Sequence, residues 1–183
     1  MEIAFIHSDI AQKLANYKLP RYDKLISYPV AMRQLIAILD EYLDIFRDPF
    51  EEEKLLTPFM VNSYVRKKVI EPPENKDYNK NHIMYLIVIG ILKQVLSISD
   101  IGKILHMAIN QYPKNVAYEY FCNEVEEALK VTFATRSSEF KNTPKVITPL
   151  NESVHSAVIA FANKIYVKQY LYYTENQKTI NVQ

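Results

Sequence analysis

Between Thr57 and Lys80 lies a set of side chains that could do chemistry of one kind: Thr57, Asn62, Ser63, Arg66, Lys67, Lys68, Lys76, Tyr78 and Lys80. They are short hydrogen-bonding groups beside long cations, with no nucleophile and base paired among them. Such a set suits recognition rather than bond-making. The carboxamide of Asn62 can pair bidentately with adenine, and short polar neighbours on the same helix can meet base edges in a major groove. Arg66, Lys67, Lys76 and Lys80 are of the types that neutralise phosphates. The acids Glu71, Glu74 and Asp77 are interspersed, so the stretch is only mildly positive. The competing reading of the same residues is a solvated helix face with no ligand.

Elsewhere the reactive residue types are scattered. His7, His82, His106 and His155 show no metal-ligand spacing, and Cys122 is a lone cysteine inside a helical pattern. No metal site and no cofactor is expected. No Ser-His-Asp set, carboxylate pair or nucleotide-binding motif stands out, so no catalytic residues are assigned and an enzyme is not expected. His82 is expected at the surface near a helix start. The default for Cys122 is a small buried residue. Glu124, Glu126 and Glu127 read as a wet helix face. Tyr166, Tyr170, Tyr172 and Tyr173, with Phe161, could line a dimer interface or a small-molecule pocket. Plain helix packing is the stronger reading of them.

The elements that must position the first set are legible from caps and periodicity. Thr57 can cap a helix that starts at Pro58, where the missing N–H costs nothing. Val61, Tyr64 and Val65 face inward, and Asn62, Ser63, Arg66 and Lys67 occupy the other side. Pro72-Pro73 ends the segment. Asn79 caps a helix over Lys80–Leu96, apolar on most sides through Ile83, Leu86, Ile87, Gly90 and Leu92. Gly90 costs about 1 kcal/mol relative to alanine in mid-helix, which implies close helix–helix approach. Ser97, with Asp100 as a partner, starts a helix over Ile98–Ile109.

Upstream, residues 1–28 are weakly patterned, with a short helix after Ser8. Met32, Leu35, Ile36, Leu39, Leu43 and Phe46 repeat at helical spacing and predict a helix from Pro29 to Phe46. Asp48 to Glu53 reads as a solvated acidic connector. Downstream, a helix is predicted over Asn115–Phe133 and a loop over 135–148. A final helix starts at Thr148-Pro149 and runs to Tyr173, followed by a frayed tail from Thr174.

Asn62-Ser63-Tyr64, Val69-Ile70 and Pro72, then Tyr78-Asn79, then Leu96-Ser97-Ile98-Ser99-Asp100-Ile101 resemble, in order and spacing, the DNA-binding domain of the MerR-like regulators. The chain is more closely similar to a bacterial family of uncharacterised proteins, the domain of unknown function numbered 1836. That likeness is carried by Leu56-Thr57, Ser63-Tyr64, Pro72-Pro73 and Lys76-Asp77-Tyr78-Asn79. The resemblance implies an all-α fold: a MerR-like winged helix-turn-helix core at 29–109, after an N-terminal segment at 1–28 and before a C-terminal helical region at 110–183. It implies that the helix at Thr57–Lys68 is the recognition helix and Glu71–Asn79 a wing shortened to a turn. Under it, Thr57, Asn62, Ser63, Arg66, Lys67, Lys76, Tyr78 and Lys80 become the DNA-binding set. Double-stranded DNA becomes the partner and a homodimer the working unit, with any small-molecule effector unidentified. Phe59 departs from the MerR pattern. Apolar bulk at the helix start suits a protein contact better, and so motivates a second expectation, a helical protein–protein interaction module that keeps the shape without using it on DNA.

Composition bounds these readings. The chain has 183 residues, 49 % of them hydrophobic, enough for a real core. Only 2 glycines argues against glycine-rich phosphate loops. A net charge of +1 announces no global basic field. One cysteine excludes an internal disulfide. The longest apolar run, Ile83 to Leu92, is too short to span a bilayer, and Met-Glu-Ile-Ala-Phe does not read as a signal peptide. A cytoplasmic protein without membrane contact is expected.

Overall fold

The computed structural model describes residues 2–134 and 148–180, with side chains described from 4 to 177 within those spans. It is mostly helical: α1 (Glu2–Ile6), α2 (Asp9–Ala15), α3 (Met32–Leu43), α4 (Pro58–Arg66), α5 (Lys80–Leu92), α6 (Ile98–Gln111), α7 (Lys114–Phe133) and α8 (Pro149–Ile180). Two short strands, β1 (Val30–Ala31) and β2 (Asp77–Tyr78), pair antiparallel, with Val30 opposite Tyr78 and Ala31 opposite Asp77. Among the described residues the all-α class is therefore correct.

The predicted caps at Thr57, Asn79, Ser97 and Thr148 form, and Ser8 adds one that was not predicted. The Ser8 hydroxyl accepts from Ala11 N–H at 3.4 Å, that of Thr57 from Met60 N–H at 3.3 Å, and that of Ser97 from Asp100 N–H at 3.1 Å. Thr148 accepts from Asn151 N–H at 3.1 Å, so the threonine–proline start recurs at α4 and α8. Each bond satisfies an amide that the first helical turn leaves without an intrahelical acceptor.

α3 starts three residues later than expected. Val30 and Ala31 are held in extended geometry by β2, and the helix begins where that pairing stops. Its buried positions Leu35, Ile36, Leu39 and Leu43 are those the spacing implied, and Phe46 is buried in a short 3₁₀ turn beyond its end. α5 is shorter than expected, ending at Leu92. Tighter turns over Lys93–Leu96 deliver the chain to the Ser97 cap. From His82 to Leu92 every residue of α5 is buried. It is the central helix, packed on α3, α6, α7 and α8. A Cβ built on Gly90 would lie 2.6 Å from Leu43 Cδ1 and 3.3 Å from Leu56 Cδ1, which is the close approach that its position implied.

α7 and α8 lie side by side and point the same way: Tyr120 OH donates to the Asn151 carbonyl at 3.3 Å, Glu124 meets His155 at 2.7 Å, and Phe133 packs on Tyr166 at 5.4 Å. The expected loop over 135–148 lies outside the described residues apart from Thr148. α8 continues to Ile180, past the predicted end at Tyr173, because Thr174–Ile180 contains neither glycine nor proline to stop it.

The expected wet face of α7 is corrected at Glu126, which is 7 % exposed. The segment following α2 folds across it. Glu126 accepts from Lys18 Nζ at 2.8 Å, pairs with Arg21 at 2.9 Å and takes the Leu19 N–H at 3.2 Å. Glu119 accepts Tyr22 N–H at 2.9 Å, and Tyr118 OH donates to the Pro20 carbonyl at 2.9 Å. Phe5 of α1 sits among Phe133, Tyr166, Tyr170 and Tyr173, so the two ends of the chain share one buried cluster. Asp48 in the acidic connector is tied to Lys168 of α8 at 2.6 Å, while Glu51, Glu52 and Glu53 are exposed as expected. No described helix is long and apolar enough to cross a membrane.

Candidate nucleic-acid interface

α4 is fixed at both ends by its own sequence. Thr57 and Pro58 set its start, and its inner face buries Val61 and Tyr64. At its end Lys68 N–H bonds the Val65 carbonyl and Val69 N–H bonds the Tyr64 carbonyl, both at 2.9 Å. This is a Schellman closure, and it requires the residue after the cap to be left-handed. Lys68 takes that conformation, with φ 58°, although it is not glycine.

The segment expected as a shortened wing is a tight turn. Asn75 and Lys76 both have positive φ, 50° and 69°, and Asp77 N–H bonds the Glu74 carbonyl at 2.8 Å, the pattern of a type I′ turn. Its return strand β2 pairs with β1 ahead of α3, so the turn, α3 and α4 are locked together.

Placement of the expected set divides it. Asn62, Arg66, Lys67, Lys68 and Lys76 are exposed, and Thr57, Ser63 and Lys80 are half-exposed. On α4, Asn62, Ser63, Arg66 and Lys67 form one stripe, at i, i+1, i+4 and i+5. Among the described residues, Arg66, Lys67, Lys68 and Lys76 enter no ion pair, and the Asn62 carboxamide makes no hydrogen bond. Their hydrogen-bonding and charging capacity faces solvent. Lys80 lies over the Tyr22 ring, 4.9 Å from its centroid, and so is directed partly onto the protein. Phe59, at the N-terminal end of the stripe, is 74 % exposed.

Tyr78 is corrected. It is 3 % exposed, with its ring edge-on to His82 at 5.3 Å. Alternation along β2 sends Asp77 outward and Tyr78 into the core, where burial pushes its phenol pKa up. Tyr78 supports the turn from beneath. His82 is corrected too: it is 4 % exposed. Its Nδ1 accepts Asn79 N–H at 3.1 Å, completing the cap of α5, and its Nε2 lies 3.2 Å from the Glu71 carbonyl. The imidazole thereby staples the segment after α4 to α5. A histidine three residues after an asparagine cap was the available signal.

Among the described residues no three His, Cys, Asp or Glu side chains gather closely enough to hold a metal ion. Tyr166, Tyr170 and Tyr173 pack around Phe5, and Tyr172 packs on Phe50 at 5.5 Å, which is the packing reading of the C-terminal tyrosines. The exposed stripe can hydrogen-bond and neutralise charge. It contains no arrangement for making or breaking bonds.

Comparison with curated proteins and with solved structures gives no match. Residues 19–121 match the family described as a domain of unknown function (DUF1836). The matched stretch starts at Leu19, on the segment laid across α7, runs through α3 to α6 with both strands, and ends at Phe121 within α7. It covers more than half of the chain, which therefore belongs to the DUF1836 family.

Proposed function

We propose that this protein is a sequence-specific transcriptional regulator that binds double-stranded DNA through a MerR-like winged helix-turn-helix core and works as a homodimer. The observation that carries the reading is the solvent-facing stripe of Asn62, Ser63, Arg66 and Lys67, extended by Lys68, with no acid of the protein paired to its cations among the described residues. In this reading α3 is the first helix, α4 enters the major groove, and Lys76 at the tip of the turn touches the backbone beside it. Asn62 reads adenine, while Arg66, Lys67 and Lys68 neutralise phosphates. Thr57 spends an oxygen lone pair on its cap and keeps its O–H for a phosphate. Tyr78 acts only by holding the turn.

Binding of labelled genomic fragments at a series of salt concentrations tests this. The expected result is a subset of fragments bound tightly, with affinity falling linearly on a logarithmic salt scale. A folded protein that binds no fragment at low salt overturns it.

Phe59 favours a second reading. A phenylalanine 74 % exposed on the same stripe is an apolar contact without a base to stack on in an intact duplex. In that reading the 57–68 face docks a protein. A stoichiometric protein partner lost on Phe59→Ser, with no DNA affinity in the parent, would select it.

A further inference from the structure

A hollow of about 280 Å³ lies between α5, α6 and the first turns of α7 and α8, away from the stripe on α4. Val88, Leu105, Ala108, Phe121 and Val154 supply apolar wall from all four helices. The hollow opens to solvent beside Ile109 and Val116, both exposed, and a solvent-open cleft with a mostly apolar wall is the form that small-molecule sites take.

Tyr85 and Lys114 bring hydrogen-bond donors to the hollow, and Tyr112, Tyr118, Tyr120 and Asn151 add further polar lining. Tyr85 lines it and is 7 % exposed, yet its hydroxyl makes no hydrogen bond among the described residues. Burial, helped by Glu71 and Tyr22, pushes its pKa up to about 12, which keeps it an O–H donor at neutral pH. Lys114 also lines the hollow, its ammonium 5.7 Å from the Tyr85 ring centroid. Among the described residues its ion-pair partner is Glu71, at a loose 3.9 Å and well exposed. α7 begins at Lys114 with Pro113 at its cap and no side chain accepting its first amides, and the start of α8 joins the same wall. The starts of two helices, an ammonium held loosely by Glu71 and the Tyr85 phenol therefore meet a space whose lining is otherwise mostly apolar.

We infer that this hollow binds a small monocarboxylate with an apolar body, the body lying along Val88, Leu105 and Ala108 and the carboxylate reaching Lys114 and the Tyr85 hydroxyl. This site is independent of whether α4 binds DNA.

The test uses the full chain and 1-anilinonaphthalene-8-sulfonate as a fluorescent probe, displaced by octanoate or by 1-octanol. One probe per chain is expected, displaced by octanoate at about a tenfold lower concentration than by octanol, as a charge-assisted contact implies. Ala108→Phe, which fills the hollow, should weaken probe binding by at least about tenfold. Lys114→Gln should remove the preference for octanoate while leaving displacement by octanol unchanged. Ala117→Leu is a milder filling variant if Ala108→Phe does not fold. The inference is overturned by failure of the probe to saturate at one site, by filled variants that fold and still bind as the parent does, or by equal displacement by acid and alcohol.

Discussion

Lys68 pays a backbone cost that its neighbours impose. A left-handed residue closes α4, and a side chain there is disfavoured by about 1–2 kcal/mol relative to glycine. Lys68→Gly should therefore stabilise the protein, by about 1 kcal/mol in a denaturant titration. If Lys68 also meets a phosphate, the same variant should lower the salt slope of DNA binding by about one unit. The cost of keeping a lysine there is then explained by its charge. Cys122 makes a second residue-level prediction. It is fully buried, and burial pushes its thiol pKa up to about 12, so the thiolate needed for reaction is scarce. A disulfide-exchange reagent at pH 8 should leave the folded protein unlabelled and label one thiol per chain once denaturant is added. Rapid labelling of the native protein would contradict the packing around α7.

Gly90 and Asp48 set predictions at the scale of elements. Alanine at Gly90 gains helix propensity but drives a methyl group against Leu43 and Leu56, which are themselves packed. Overpacking costs about 1–3 kcal/mol against a propensity gain of about 1 kcal/mol, so Gly90→Ala should melt lower by a net of about 1 kcal/mol. An unchanged or raised melting point would show that α3 can shift away from α5. Asp48 anchors the connector between α3 and α4 to α8. Burial opposes its ionisation, but the hydrogen bond and charge of Lys168, with the Phe50 N–H, outweigh that and hold its pKa below the ordinary value. A lowered folded-state pKa contributes stability that is present above the unfolded value and lost as pH falls through the folded one. Asp48→Asn should therefore melt below the parent at pH 7. The difference should close as pH drops below about 4, the ordinary aspartate range. A difference that persists undiminished at pH 2 would place the effect in packing instead.

The proposed regulator reading is tested at the scale of the whole molecule, because a net charge of +1 supplies no general attraction to nucleic acid. Under that reading, affinity comes from one face. Arg66→Glu with Lys67→Glu should weaken binding to all duplexes and flatten the salt dependence, whereas Asn62→Ala should change preference among sequences while leaving most of the salt slope. Equal loss on every sequence from Asn62→Ala would remove it as a base reader. In a dimer that binds adjacent half-sites, the two α4 helices should stand about 34 Å apart on one side. A distance measured between spin labels on Ser63 of the two protomers checks that spacing.

Local chemistry made much of this protein readable from its residues in order. Caps at Thr57, Asn79, Ser97 and Thr148, the proline starts of α4 and α8, and the helical spacing of α3 all depend on neighbours within about one turn, so the amino-acid order was sufficient for them. The outward stripe of α4 followed from the same periodicity. What only the tertiary structure decided concerns residues whose surroundings arrive from far along the chain. Glu126 is buried because residues 18–21 cross α7. Tyr78 is buried because β2 pairs with β1, which the periodicity of α3 had absorbed into a helix. The hollow beside Tyr85 exists only where four helices meet. Hydrogen bonds three residues apart are specified by the sequence that makes them, whereas a contact spanning about a hundred residues depends on which compact arrangement buries the most apolar surface at once.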